Sequence, residues 1–369
     1  MEKVKNIIFK VKMNGVGTVN FDGTDSRYAV KKYAKPAMNS PYNNDNIKIA
    51  KSVYTQIGTD EDGQPIYKRT LKISSECLRH AIFEKDYDVI NGRIMKNDAL
   101  LASYISSPAA LLRGYMFADD ITIKRKSPIT ISEALETSDA VIMPELGSVS
   151  GDKNETSLFF TENVGKTEYI AEGCIDFKQL EFLSCDDFFE RRAIKDSWVE
   201  TENGILNVAF KQRYGGVPYI KGIYTASGNT LTNHIGEFGL RFDEQFEKYL
   251  VIEFFKRLLN VNIKRSGSYA KVSSIMARPV YDALDGMYDN PDGWTELTLD
   301  NIDDFINTLD LYQFYNECDN DAKAVMDELY LAEKQKKNDR EAKKAEKKSK
   351  KATSKVEEEV SNEDGSFVL

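Results

Sequence analysis

An α+β fold built round an antiparallel sheet is what this sequence predicts, on three observations. The run "IIFKVKM" near the start alternates apolar and polar residues as a strand does, and several later runs pair up across short Gly-containing turns. A long amphipathic run, Phe242 to Leu259, has helical periodicity. The resulting order, β, β, α, then β, β, α, β, β, is that of an antiparallel sheet with helices set among the strands.

In chain order, the first strand (Ile7 to Met13) puts Phe9, Val11 and Met13 on one face, and a turn follows at Asn14 to Gly17. Residues 23 to 50 have no clear periodicity, yet Arg27, Tyr28, Lys31, Lys32, Tyr33, Lys35, Tyr42 and Lys48 interleave bases with aromatics. Stacking rings among phosphate-binding cations suit single-stranded nucleic acid, and a solvated loop explains the composition equally well. After a second strand, "IYKRTLKIS", comes "SSECLRHAIF", a helix for which Ser74 or Ser75 is a good N-cap. Its spacing sets Cys77, Leu78, Ala81 and Ile82 in a buried stripe, with Arg79, His80 and Phe83 on a neighbouring face. A short helix, "SPAALLRG", has Pro108 in its first turn and Gly114 at its end. The basic knot "KRKSP" (Lys124 to Pro128) follows, and then a hairpin in which "ETSLFFTE" and "TEYIAEGCIDF" flank "NVGK". "FKQRYGGVPYIKGIYT" (Phe210 to Thr225) reads as a second hairpin. In the long helix Phe246, Leu250, Phe254 and Leu258 face inward, and "VNIKRSGSYAKVSSIMA" gives strand, Gly267 loop, strand.

Bulk properties narrow the function. With 369 residues and 41% apolar content the chain has ample material for a packed core. The net charge of -9 is unevenly spread: residues 331–355 carry +7, residues 356–369 carry -5, and residues 1–330 carry -11. The expected organisation is therefore a folded domain over 1–330 and a disordered or singly helical charged tail over 331–369. Four scattered cysteines without a C-x-x-C pair, and only two histidines, support neither a zinc site nor a disulfide framework, so the cysteines are expected to be buried thiols. The absence of a long apolar run and of a signal-like N-terminus points to a cytoplasmic protein with no membrane partner. No P-loop, no G-x-G-x-x-G after a strand and no nucleophile motif near His80 or His234 is found, and acids such as Asp186, Asp187, Glu190, Asp303 and Asp304 read as helix starts and surface. A binding protein with no catalytic residues, cofactor or metal is favoured over an enzyme.

The motifs "LKISSECLRHAIF", "SSPAALLRGYMF", "KRKSPITISEAL", "ETSLFFTENVGKTEYIAEGCIDFKQLEFLSCDDFFERRAI" and "VIEFFKRLLNVNIKRSGSYAKV", taken together over residues 4 to 280, resemble the CRISPR Cascade backbone subunit of the hand-shaped RAMP family, most closely its compact type I-F variant. The resemblance implies a palm with a ferredoxin-like, RRM-type antiparallel sheet, a finger insertion and a hairpin thumb. It also implies several copies polymerising along CRISPR RNA (crRNA), presenting it for pairing with target DNA beside other Cascade subunits. Residues 210–225 are the preferred thumb, and 152–170 the rival.

Within that frame Arg79 and His80 sit on a helix whose N-terminus can bind phosphate, although Glu76 in the same turn would repel it. Arg113 either touches RNA or bonds the last carbonyls of its own helix. Lys124, Arg125 and Lys126, and the group Lys264, Arg265 and Tyr269 beside Gly267, are the stronger RNA-binding candidates, because each sets bases in a short loop next to strands. Arg213, Tyr214 and Lys221 surround Gly215 and Gly216 in the preferred thumb. The alternatives are a type III-like backbone ribonuclease, for which the rival hairpin offers Asp152, Glu155 and Glu162, and another nucleic-acid-binding protein of the same fold.

Overall fold

In a computed structural model of the chain the described residues are 2–21, 50–84, 97–118, 122–138, 143–149, 158–186, 192–226, 236–265, 267–282 and 288–318, with Ala324, Glu328, Leu331, Ala332, Gln335, Lys336 and Asp339 beyond them. The basic and aromatic residues between 23 and 49, and Asp152, Glu155, Asp187, Glu190 and His234, lie outside the described residues.

The strands are β1 (Asn6–Val16), β2 (Ser52–Thr59), β3 (Pro65–Ile73), β4 (Tyr115–Phe117), β5 (Ile123–Arg125), β6 (Ile129–Ile131), β7 (Ala134–Glu136), β8 (Met143–Val149) and β9 (Leu158–Val164). They continue with β10 (Lys166–Asp176), β11 (Phe182–Ser184), β12 (Tyr219–Ala226), β13 (Glu237–Phe242), β14 (Asn262–Arg265), β15 (Ser268–Val280), β16 (Thr295–Leu297) and β17 (Tyr315–Glu317). The helices are α1 (Ser75–Ile82), α2 (Asp98–Ile105), α3 (Pro108–Arg113), α4 (Phe177–Glu181), α5 (Ile205–Tyr214), α6 (Glu244–Leu259) and α7 (Ile302–Asn307). The chain divides into two compact units, residues 1–221 with 239–315, and residues 222–238 with 316–369. In the second unit the Cys318 amide donates to the Ile223 carbonyl at 3.1 Å, and the Cys318 sulfur lies 3.0 Å from the Thr225 hydroxyl.

The first unit is a mixed α/β body with antiparallel sheets. Its main sheet runs β14-β15-β1-β10-β7-β3-β2, with β16 on β15 and β6 on β10, and each of these pairings is antiparallel. β1 occupies the centre because it alternates: Phe9, Val11 and Met13 are buried while Lys12 and Asn14 point outward. On the buried face Phe9 meets Phe254 and Phe255 of α6, with ring centroids 5.3 Å and 5.7 Å apart. Burying each such ring contributes roughly 1.5–3 kcal/mol. Gly173 of β10 lies against Phe9, where any Cβ would strike the ring. The outward face carries a ladder of ion pairs, Lys10 to Glu172 at 3.5 Å and Lys12 to Glu168 at 3.0 Å, with Lys10 also 5.2 Å over the Trp294 ring.

Several local expectations hold. Ser74 caps α1 by accepting from the Cys77 amide, and Pro108 opens α3, which Gly114 closes at φ 77°. Helix α6 starts two residues later than expected, because Phe242 ends β13 and the Asp243 carboxylate takes the cap, 2.7 Å from the Phe246 amide. Phe246, Leu250, Phe254 and Leu258 are all buried, and β14 and β15 turn at Gly267, at φ 78°. Asp303 and Asp304 occupy the first turn of α7. Cys185 and Cys318 are buried, whereas Cys77 and Cys174 are half-buried.

Four expectations are corrected. β1 runs on through Val16, so the first turn comes later, at Gly17 with φ 66°. "NVGK" joins strands that pair with different partners, β9 with β8 and β10 with β1, and is no hairpin tip. Phe83 belongs to the core, 2% exposed, as the residue that closes α1. Residues 210–225 are not a hairpin: Leu206 and Phe210 bury one side of helix α5, Gly215 ends it at φ 76°, and β12 follows. The Tyr and Gly content that suggested strands belongs instead to a helix end and its left-handed cap.

Two buried acids mark the floor of this unit. The Glu181 carboxylate accepts from the amides of Phe314 (2.7 Å) and Tyr315 (3.2 Å), and burial pushes it up to about 7 against the pull of those bonds. Glu247, fully buried on α6, is raised well above the usual carboxylate range, first by burial and then by the charge of Glu181. Among the described residues no helix is long and apolar enough to cross a membrane.

Candidate nucleic-acid interface

The predicted site residues fall into three groups, and α1 organises the first. Asn20, itself buried, donates to the Ser74 hydroxyl at 3.2 Å and so fixes the residue that caps the helix. Arg79 and exposed His80 follow one turn on. Arg79 donates from Nη2 to the Arg113 carbonyl at 2.6 Å, which closes the end of α3 with a side chain from another helix. Burial lowers the Arg79 guanidinium from its ordinary value, the nearby positive charge of Arg113 adds to the effect, and Glu76 opposes it. Two like charges thus share one groove.

That groove encloses about 440 Å³ and is lined by Glu76, Arg79, Tyr104, Arg113 and the segment Gly114 to Phe117. Its far wall is the β4–β5 ribbon, in which Tyr115 faces Arg125 and Met116 faces Lys124. Alternation then decides each residue's fate: Tyr115, Phe117, Ile123 and Arg125 turn inward, while Met116 is 69% exposed and Lys126 is exposed just beyond the strand. Gly114 lets the ribbon close on α3, since a Cβ there would collide with the Arg125 carbonyl and the Ser127 amide. The backbone of residues 125–127 is thereby brought against Gly114, the neighbour of Arg113.

The β14–β15 turn joins this group from the other side. Arg265 and Lys51 lie close enough to Cys77 for their charges to act on its thiol, which burial nonetheless raises. Lys264 and Arg265 are exposed, and Tyr269 is 44% exposed. Arg113 and Arg265 therefore come to α1, which carries Arg79 and His80, from segments far apart in sequence.

Arg125 is a correction. It is buried, and its guanidinium donates to the carbonyls of Leu111 (3.0 Å), Phe182 (2.8 Å), Gln179 (3.0 Å) and Leu180 (3.1 Å). Desolvation lowers it to about 10, and with its donors spent on the carbonyl ends of α3 and α4 it is a strut under the groove that cannot reach RNA. Arg213 and Tyr214 are likewise committed at the opposite end of α3: Arg213 donates to the Ser106 hydroxyl (3.3 Å) and the Ser103 carbonyl (3.0 Å), and Tyr214 to the Ser106 carbonyl (2.8 Å). Lys221 reaches the Val199 carbonyl at 3.4 Å. These three bond to segments packed against α5 and β12, and the hairpin that grouped them does not form; Arg213 and Lys221 are exposed. Lys51 and Met116 were missed, Lys51 because it stands alone in sequence and Met116 because an apolar residue in "YMF" gives no sign that it faces out.

Among the described residues no three His, Cys, Asp or Glu side chains converge as metal ligands would. The fold and the groove define a class: a mixed α/β protein with antiparallel sheets, in which two guanidiniums and an exposed methionine line one groove. The model of the type I-Fv CRISPR-associated family, Cas7fv-like, matches residues 3–288, and the chain belongs to that family. It is thus a backbone-type subunit of a CRISPR type I effector, as the resemblance implied. Two solved chains from CRISPR RNA-guided surveillance complexes, one of them in a pre-nicking state, are each 10% identical to it. They cover 74% and 75% of this chain and 71% and 77% of their own, with TM-scores of 0.31 and 0.38, and the family assignment does not rest on them. No curated protein matches.

Proposed function

We propose that the chain polymerises along crRNA in the cytoplasm, holding the RNA backbone in the α1 groove and leaving bases available for pairing with target DNA. The observation that carries this reading is the pair of guanidiniums, Arg79 and Arg113, held against each other's repulsion in the lining of one groove. A strand's phosphates relieve that repulsion without regard to sequence, so the same footprint can repeat in any register. The palm is ferredoxin-like in our reading: β1, then helices α1–α3, then the β6–β7 edge, β10, α6 and β15 give the sheet order β15-β1-β10-β7. The salt-bridged outward face of that sheet leaves the helix side to the strand. For the thumb we favour the β2–β3 ribbon, whose residues 55–59 and 61–69 are exposed on both faces, including apolar Ile57 and Ile66. Residues 1–330 act as the RNA-binding hand and 331–369 as a charged tail, and the role is structural rather than enzymatic.

The test is stoichiometry. Coexpressed with CRISPR arrays of increasing spacer length, the protein should add whole copies in steps, read as a mass ladder by native mass spectrometry. A fixed copy number would refute polymerisation. Target RNA cut at regular intervals, with cutting lost in Asp152→Ala, would establish a ribonuclease instead.

A further inference from the structure

We propose that Glu76 reads the sugar of the bound strand, accepting a hydrogen bond from a ribose 2′-hydroxyl and so distinguishing RNA from DNA. This rests on the groove being an RNA site, and it accounts for the one lining residue that a phosphate site leaves unexplained. Glu76 is the sole carboxylate among the lining residues. It stands on the same helix as Arg79, one turn away, and its charge acts on that guanidinium. On its other side the charge of Lys51 reaches it. Glu76 thus stands among cations, with Arg79 and Arg113 beside it in the groove lining and Lys51 outside that lining.

Chemistry restricts what the anion can meet. Its own backbone amide, followed by the hydroxyls of Ser74 and Ser75, holds the Glu76 carboxyl below its usual range against the opposing effect of slight burial. An ionised carboxylate only accepts hydrogen bonds, and so do phosphate oxygens, so the two repel. The donor that a strand carries between one phosphate and the next is the ribose 2′-hydroxyl, which DNA lacks. A strand that sets its phosphates on Arg79 and Arg113 can then offer a ribose hydroxyl to the carboxylate that lines the same groove. A first-turn acid also complements the helix dipole, but that role affects stability alike with either sugar.

The experiment uses uridine strands of about ten nucleotides, a length within the span of single-strand sites, which carry no exocyclic amino group to mimic the hydroxyl. Ribose, 2′-fluoro and deoxy versions are compared by fluorescence anisotropy. The 2′-fluoro sugar keeps the ribose pucker and removes the donor. Wild type should bind the ribose strand roughly tenfold more tightly than the 2′-fluoro strand, the worth of one hydrogen bond to a charged group. Glu76→Ala should bring that ratio to about one, and Glu76→Gln, which keeps a neutral acceptor, should close only part of the gap. A ratio that survives in Glu76→Ala, a wild type indifferent to the sugar, or a Glu76→Ala that tightens all strands equally would overturn the proposal. The double variant Arg79→Ala/Arg113→Ala separates the two readings. If it binds every strand as wild type does, the groove assignment fails; if it loses binding while Glu76→Ala keeps the ratio, only the sugar-reading role fails.

Discussion

Arg113 and Arg125 stand on facing segments at the end of α3, and the groove wall runs between them. On one side Arg113 and Arg79 line the groove; on the other, Arg125 gives its donors to four carbonyls. The register of β5 decides the role, since one step along "KRK", from Arg125 to Lys126, goes from a buried cation to an exposed one. A basic motif next to strands is thus no measure of basic surface until its register is known.

The sharpest way to break this comparison is to truncate both sides. Arg125→Ala should cost about 4 kcal/mol of unfolding free energy, since it orphans buried carbonyls at two helix ends and leaves a cavity. Urea denaturation checks it, and strand binding should fall only as far as the folded fraction does. The double variant Arg79→Ala/Arg113→Ala should do the reverse, lowering strand affinity at least tenfold. It should cost only about 1 kcal/mol of stability, the worth of the single bond to the Arg113 carbonyl. The slope of log affinity against log salt should become shallower by about 0.7 for each phosphate that the variant no longer neutralises.

The β14–β15 turn should behave as part of the groove side. Reversing Lys264 and Arg265 to glutamate should weaken RNA retention by several-fold less than the groove double variant does, with an unchanged melting temperature, because both residues are exposed. An equal loss from reversing Lys347 and Lys348 would move the binding surface into the tail.

Carboxylates repeat the contrast between layers. Glu76 is held low at the surface, whereas Glu181 and Glu247 are raised in the interior. A raised carboxyl keeps its proton in the folded chain after the unfolded chain has lost it. The stability each contributes is therefore full below the ordinary carboxylate value and falls as pH rises above it, for Glu181 until about 7. Glu247→Gln should flatten that decline and raise the melting temperature more at pH 8 than at pH 5, measured by differential scanning fluorimetry. Smallest of all should be the effect of removing residues 331–369, whose described members Leu331, Ala332, Gln335, Lys336 and Asp339 are helical and exposed; the melting temperature of the remainder should stay within a degree or so.

Elements set by local physics were legible in the sequence. The alternation of β1, the cap of α1, the proline and glycine bounding α3, the apolar stripe of α6 and the Gly267 turn each depend on residues within one or two turns. What escaped depends on distant partners. Ribbon β2–β3 has little core face to betray it, so only its second strand was visible, and the helical "FKQRY" was masked by aromatic composition suited to either state. Arg79, Arg113 and the "KRSGSY" turn could be picked out as cations singly. Their meeting round α1 is a matter of tertiary topology, and so is the exclusion of Arg125.

Gly114 has a consequence for how this surface can vary. Position 114 couples the two layers mechanically, since its lack of a side chain lets the strut's strand lie flush against the end of the helix that carries Arg113. A saturation library across 113–116, selected for folded protein, should return glycine alone at 114 while accepting many residues at 113 and 116. Selection for RNA binding would then restrict 113 as well. The surface is free to retune its affinity for the strand one side chain at a time, yet it cannot shift its floor without abandoning the fold.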